Sequence, residues 1–121
     1  MLGIPTPAPM SAQARAQDLK ARLDWGEPAL TIIDARDRPS FNEEHITGAI
    51  SMSMSNLVEA AQANLELDRD IYIYGVADEE TATAAQSLRD AGYLKVAELR
   101  GGLPAWKAVG YPTETGAPTG A

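Results

Sequence analysis

Few residues of this 121-residue chain are equipped to do chemistry. Cysteine is absent, which removes thiolate nucleophiles, disulfides and thiolate metal sites together. His45 is the only imidazole, too few for an ordinary zinc site. As a general base it would need a carboxylate to orient it, and Asp34 and Glu44 are the candidates, although nothing in the spacing demands that arrangement. The one run of three consecutive carboxylates is Asp78-Glu79-Glu80, which follows the apolar run Ile71-Tyr72-Ile73-Tyr74 after Gly75, Val76 and Ala77. Carboxylates at the start of a helix complement its positive end, by ~0.3–1 kcal/mol each. Asp78 is therefore expected as an N-cap, with Glu79 and Glu80 in the first turn; the same trio is also suited to be an acidic recognition knob. Gly101-Gly102 lacks the later glycine and the context of a dinucleotide loop. No cofactor and no metal are expected.

The elements that must position these residues alternate along the chain. Leu30 to Asp34, Ile71 to Tyr74 and Lys95 to Leu99 are short apolar runs suited to strands, and Ala49 to Met54 alternates with period two, as a strand near a sheet edge would. Met52 and Met54 are expected in the core rather than on an adaptable surface. Helices are expected after Ser11 as cap, with Ala12, Ala16, Leu19 and Leu23 inward and an Asp18–Arg22 pair outward; from Pro39; from Asn56 to Leu65; from Asp78 to the stop at Gly92; and from Leu103 to Val109. Such alternation is the mark of an α/β fold with a mostly parallel sheet covered by helices on both faces. Pro5, Pro7 and Pro9 make residues 1–10 an extended arm, residues 11–112 the domain, and residues 113–121 a tail expected to be disordered.

Three stretches, in order, resemble the rhodanese (sulfurtransferase) homology domain. Asp34-Ala35-Arg36, then Phe41, then His45-Ile46-Thr47-Gly48-Ala49-Ile50 is similar to the family's Asp-x-Arg followed by Gly-His-Ile-Pro-Gly-Ala-Ile, with Glu44 at the glycine and Thr47 at the proline. Ile71 to Tyr74 resembles the strand that feeds the family's active loop. Gly101-Gly102-Leu103-Pro104-Ala105-Trp106 resembles its late Gly-Gly-x-x-x-Trp signature. The resemblance implies a three-layer fold with a five-stranded parallel sheet, of which four strands are assigned here; the fifth is expected to be short or to lie in the N-terminal arm. It also implies that Asp34 and Arg36 form a structural pair, that His45 and Gly48 belong to a scaffold turn, and that Trp106 anchors the last helix.

The family's chemistry needs a cysteine thiolate at the end of the central strand, held by the amides of the following loop. The loop Cys-Arg-x-Gly-x-Arg-Ser, laid on this chain without gaps, falls on Gly75, Val76, Ala77, Asp78, Glu79, Glu80 and Thr81. Gly75 stands at the nucleophile, and both arginine positions are lost, to Val76 and Glu80. The resemblance thus implies a catalytically inactive member acting as a binding or regulatory module. The alternatives are a sulfurtransferase whose cysteine was replaced artificially, or an enzyme using carboxylates and His45. A net charge of −7 gives no reason to seek nucleic acid or anionic membrane, and is compatible with a basic protein partner. No apolar stretch reaches the ~20 residues of a membrane helix and no leader pattern opens the chain, so a cytoplasmic location is expected.

Overall fold

The computed structural model describes residues 9–26 and 29–116. Most of the expected arm (residues 1–8), Pro28, and residues 117–121 lie outside the described residues. In chain order the elements are β1 (Gln13–Ala14), α1 (Ala16–Trp25), β2 (Leu30–Asp34), α2 (Arg38–Glu43), β3 (His45–Ile46), β4 (Ile50–Ser51), α3 (Leu57–Asn64), β5 (Asp70–Tyr74), α4 (Asp78–Asp90), β6 (Val96–Leu99), α5 (Gly102–Ala108) and β7 (Thr113–Glu114). A single 3-10 turn, Met54–Asn56, leads into α3.

Five strands form one parallel sheet in the order β1-β6-β5-β2-β4, so the α/β fold expected from the alternation is the fold observed. Strand β5 runs down the middle, with Ile73 opposite Ile33 on one side and Glu98 on the other. Its side chains divide between two cores. Tyr72 and Tyr74 join Ile32, Leu99, Leu19 and Trp106 under α1, α2 and α5. Ile71 and Ile73 join Ile33, Leu57, Ala84 and Leu88 under α3 and α4. Both faces being covered, the central strands read as continuous apolar runs, while β4 lies at the edge of the sheet with Ile50 45% exposed.

The fifth strand is Gln13–Ala14, beyond the expected arm and inside the segment expected to open the first helix. Ser11 therefore caps no helix. The amides of Glu98 and Arg100 donate to the carbonyls of Ala12 and Ala14, and this pairing outweighs local helical preference. Helix α1 begins only at Ala16, and Asp18 in its first turn accepts from the Arg15 amide at 2.8 Å. The expected Asp18–Arg22 pair does not form. Arg22 turns inward instead, to Asp70 at 2.9 Å and the Tyr72 hydroxyl at 3.3 Å, on the same buried face as Ala16 and Leu19, whereas Leu23 is 38% exposed.

Two further differences concern ends. The strand expected from Ala49 to Met54 is only Ile50–Ser51; Met52 is buried in the core and Met54 begins the 3-10 turn, half-buried. In the segment expected as a disordered tail, Thr113–Glu114 pairs antiparallel with β3, Glu114 opposite His45 and Thr113 opposite Ile46. Glu44, the residue at the family's glycine, holds this strap: its two carboxylate oxygens accept from Lys107 at 2.6 Å and Thr113 at 2.7 Å. The Lys107 bond first, and then the Thr113 bond, keep the Glu44 carboxyl below its ordinary range. Its support for the strap is thus present near neutrality and lost as the pH falls into the carboxylate range.

Candidate functional site

The site of interest lies where β5 ends and α4 begins. After Tyr74 the chain turns through Gly75, Val76 and Ala77, and α4 starts at Asp78. Ala77 is the N-cap and makes no side-chain cap bond, so Asp78 is the first helical residue and not the expected cap. Its carboxylate reaches across the chain, where one oxygen accepts from the Gly101 amide at 2.8 Å and the other lies 3.3 Å from Arg100. Asp78 thereby fastens the loop to the turn between β6 and α5.

Two of the loop amides, those of Gly75 and Val76, are taken up by side chains of the helix's own first turn. The Gly75 amide donates to Thr81 Oγ1 at 2.8 Å, and the Thr81 hydroxyl donates onward to the Ala77 carbonyl at 3.1 Å. The Val76 amide donates to Glu80 Oε1 at 2.8 Å. A Cβ on Gly75 would meet that same Glu80 oxygen at 2.6 Å, so the carboxylate occupies the space into which a side chain at position 75 would project. Val76 is 68% exposed, and Glu79 is exposed with no part in these bonds. A loop built this way offers no thiol, and its inward amides face internal acceptors.

Thr81 is 1% exposed and its hydroxyl is the partner of a buried amide. Replacing it with valine keeps the shape and leaves the Gly75 N–H unsatisfied. The expected cost is about 1–3 kcal/mol, read as a lower urea midpoint with unchanged slope, while Thr81→Ser stays close to the parent. Equal midpoints for the valine and serine variants would show that the hydroxyl does not hold the loop.

Around the loop the other sequence-singled residues fall in two groups. Asp34 and Arg36 come together at the end of β2: Arg36 donates from its backbone amide, Nε and terminal nitrogen to a carboxylate that is fully buried, with distances of 2.7 to 3.2 Å. The same guanidinium caps the Glu44 carbonyl at 2.6 Å. Burial, with the Asp34 charge adding, pushes the Tyr74 hydroxyl far above its ordinary range, so it stays neutral and accepts from the Ile46 amide at 3.1 Å. His45 belongs to the second group, away from Asp34. Its Nδ1 lies 2.7 Å from the Phe41 carbonyl and its Nε2 3.0 Å from Glu114, and its ring stacks on Phe41 at 3.7 Å. Neither Asp34 nor Glu44 orients it, which removes the arrangement weighed above for a general base. Gly48 (φ +88°) turns the chain between β3 and β4, Gly101 (φ +78°) and Gly102 (φ +52°) lead into α5, and Trp106 is fully buried on that helix.

Sequence reasoning missed the Arg100–Asp78 pair and the Glu44–Lys107–Thr113 clamp. The only signal for the second was Glu44 standing where the resemblance asks for glycine. Beside the loop, a hollow of about 340 Å³ opens between the segments Ala35–Arg38 and Ser53–Ser55, with Val76 and Glu80 on its wall. No helix among the described residues is long and apolar enough to cross a membrane.

Comparison with known proteins places this geometry. The family described as "Rhodanese-like domain" matches residues 15–109. The solution structure of the rhodanese-like domain of the Alr3790 protein from Anabaena sp. superimposes with a TM-score of 0.85 at 52% identity, covering 93% of this chain and 88% of that one. The HTH-type transcriptional regulator Rv0324 of Mycobacterium tuberculosis is 35% identical over 93% of this chain, and this chain spans about half the length of that relative, 49%. Thiosulfate sulfurtransferase GlpE of Coxiella burnetii is 33% identical over 65% of this chain and 73% of its own length.

Proposed function

From the premise that the chain belongs to the rhodanese-like family, we propose that it is a member without persulfide chemistry that works as a binding or regulatory module. One observation carries this reading: the nucleophile position at the end of the central strand is Gly75, and the Glu80 carboxylate fills the space beside it. The thiolate and the two basic residues that the resemblance calls for are replaced by glycine, valine and glutamate. A carboxylate over the loop repels a sulfur-bearing anion and raises the cost of any thiolate formed there. The likeness to a protein named as a transcriptional regulator supports a regulatory role, in which this domain would be joined to a further unit. A cytoplasmic location and a protein partner, with no nucleic acid or membrane contact by this domain itself, are part of the same proposal.

The test is sulfur transfer from thiosulfate to cyanide, followed as thiocyanate. The chain is expected to give no more than the protein-free control, and so is Gly75→Cys, because the new thiol sits against Glu80. Turnover by the unaltered chain would overturn the proposal. Turnover restored by Gly75→Cys alone would favour an active sulfurtransferase that had merely had its cysteine replaced.

A further inference from the structure

His45 is a buried imidazole with an acceptor at each ring nitrogen. Its Nδ1 lies 2.7 Å from the Phe41 carbonyl oxygen and its Nε2 3.0 Å from a Glu114 carboxylate oxygen. A neutral ring holds one proton and can donate to only one of them. The carbonyl contact is the shorter and joins two buried residues, so a single proton belongs on Nδ1. Nε2 then turns its lone pair on the carboxylate, and a second proton converts that contact into a charge-assisted hydrogen bond. We propose that His45 is a pH-sensitive latch: protonated, it locks the strap Thr113–Glu114 onto β3, and on losing that proton it lets the strap open. The latch does not depend on the reading of the former active loop.

The strap is held at two ends. Before it, the Pro112 carbonyl accepts from Trp106 Nε1 at 2.7 Å and from the Thr47 amide at 3.3 Å. Beyond it, Glu114 meets His45 and the Gly116 amide donates to the Asn42 carbonyl. The other titratable and charged groups on the elements packed against β3 are engaged elsewhere or turned to solvent. On α2, Arg38 donates to the Asn42 side chain and Glu43 is exposed. Glu44 takes Lys107 of α5 and Thr113, Arg36 is bound to Asp34 and the Glu44 carbonyl, and the Tyr74 hydroxyl holds the Ile46 amide. Among the described residues Glu114 is the only charged group bonded to the ring. Its side chain is 49% exposed, so beside a neutral ring the carboxylate can swing into water while the imidazole stays stacked on Phe41. A contact that needs the charged ring is complete at acid pH and is lost as the pH rises through the imidazole range. The Glu44 clamp has the opposite sign, failing only as the pH falls into the carboxylate range. Both hold the strap together only in the mildly acidic window between.

The test follows the isotopically labelled full chain by NMR between about pH 8 and about pH 5.5, a span in which an imidazole changes charge and carboxylates stay ionised. Hydrogen exchange at the Gly116 amide, corrected for its intrinsic pH dependence, reads the strap, and the His45 ring nitrogens report the proton. Protection at Gly116 is expected to rise about three- to fivefold toward the acid end, the worth of one half-exposed ion pair, in step with the His45 ring shifts. Protection at Ala35, whose amide donates to the Tyr74 carbonyl in the central sheet, is expected to stay constant. Glu114→Gln leaves a neutral amide that can donate to a neutral ring or accept from a charged one. Gly116 protection in this variant is therefore expected to be the same at both ends of the range. Flat protection in the parent chain, a rise that persists in Glu114→Gln, a midpoint displaced from that of the ring, or an equal change at Ala35 would each overturn the latch.

Discussion

Arg36→Ala is expected to destabilise the domain by about 3–5 kcal/mol, the usual cost of stripping one partner from a buried ion pair. Against a total stability on the order of 5–15 kcal/mol, that is a large fraction. The reason is the asymmetry of the pair. The Asp34 side chain is 0% exposed and the Arg36 side chain 13%. Without the guanidinium, the carboxylate stays buried with the position-36 amide as its donor, and the Glu44 carbonyl loses its 2.6 Å partner as well. Asp34→Ala is expected to cost less, about 1–3 kcal/mol, because an arginine near the surface can swing to water. Urea unfolding of both variants checks the order. The double variant Asp34→Leu with Arg36→Met should recover much of the loss, since no charge is then left buried. An Arg36→Ala midpoint within about 1 kcal/mol of the parent would mean that the carboxylate finds another partner or takes up a proton.

Trp106→Ala should cost about 3–5 kcal/mol, as loss of a fully buried indole generally does. Trp106 is 0% exposed and lies in the core shared with Leu19 and Tyr74. It also makes two contacts that reach past its helix: Nε1 donates to the Pro112 carbonyl at 2.7 Å, and the ring meets Tyr111 edge-on at 4.9 Å. Both lie just before β7, so the variant should loosen the strap as well as the core. Amide exchange at Thr47 is the readout, because the Thr47 amide donates to the Pro112 carbonyl. Trp106→Phe keeps most of the volume and loses the indole bond, for an expected cost of about 1–2 kcal/mol. If the alanine variant unfolds at the parent midpoint, or if exchange at Thr47 is unchanged in both, the anchor role is wrong.

Much of the architecture was legible because it depends on patterns shorter than one element. Ile71 to Tyr74 announced a strand by composition, and its two-residue period assigned the tyrosines and isoleucines to opposite faces, as they stand in the two cores. Asp34 and Arg36 lie two residues apart, so their pairing is local. The missed features all join distant segments. Gln13–Ala14 is a strand only because β6 lies beside it, and Arg22 is inward only because Asp70 and Tyr72, far along the chain, await it. Asp78 looked like a helix cap by its neighbours, yet the amide it satisfies belongs to Gly101.

By itself the sequence determined the alternating α/β order, the likeness to the rhodanese-like family, and the absence of a thiol. These follow from residue identity and local period, which no packing can alter. Only the tertiary structure decided how the emptied loop is used: Glu80 turned back onto the Val76 amide, Thr81 onto Gly75, and Asp78 across to Gly101. It likewise decided that Thr113–Glu114 lies against His45–Ile46 with Glu44 as clamp. A carboxylate's partner is set by which donors reach it in three dimensions, and buried or half-buried donors must be satisfied from whatever side chain the fold brings within about 3 Å.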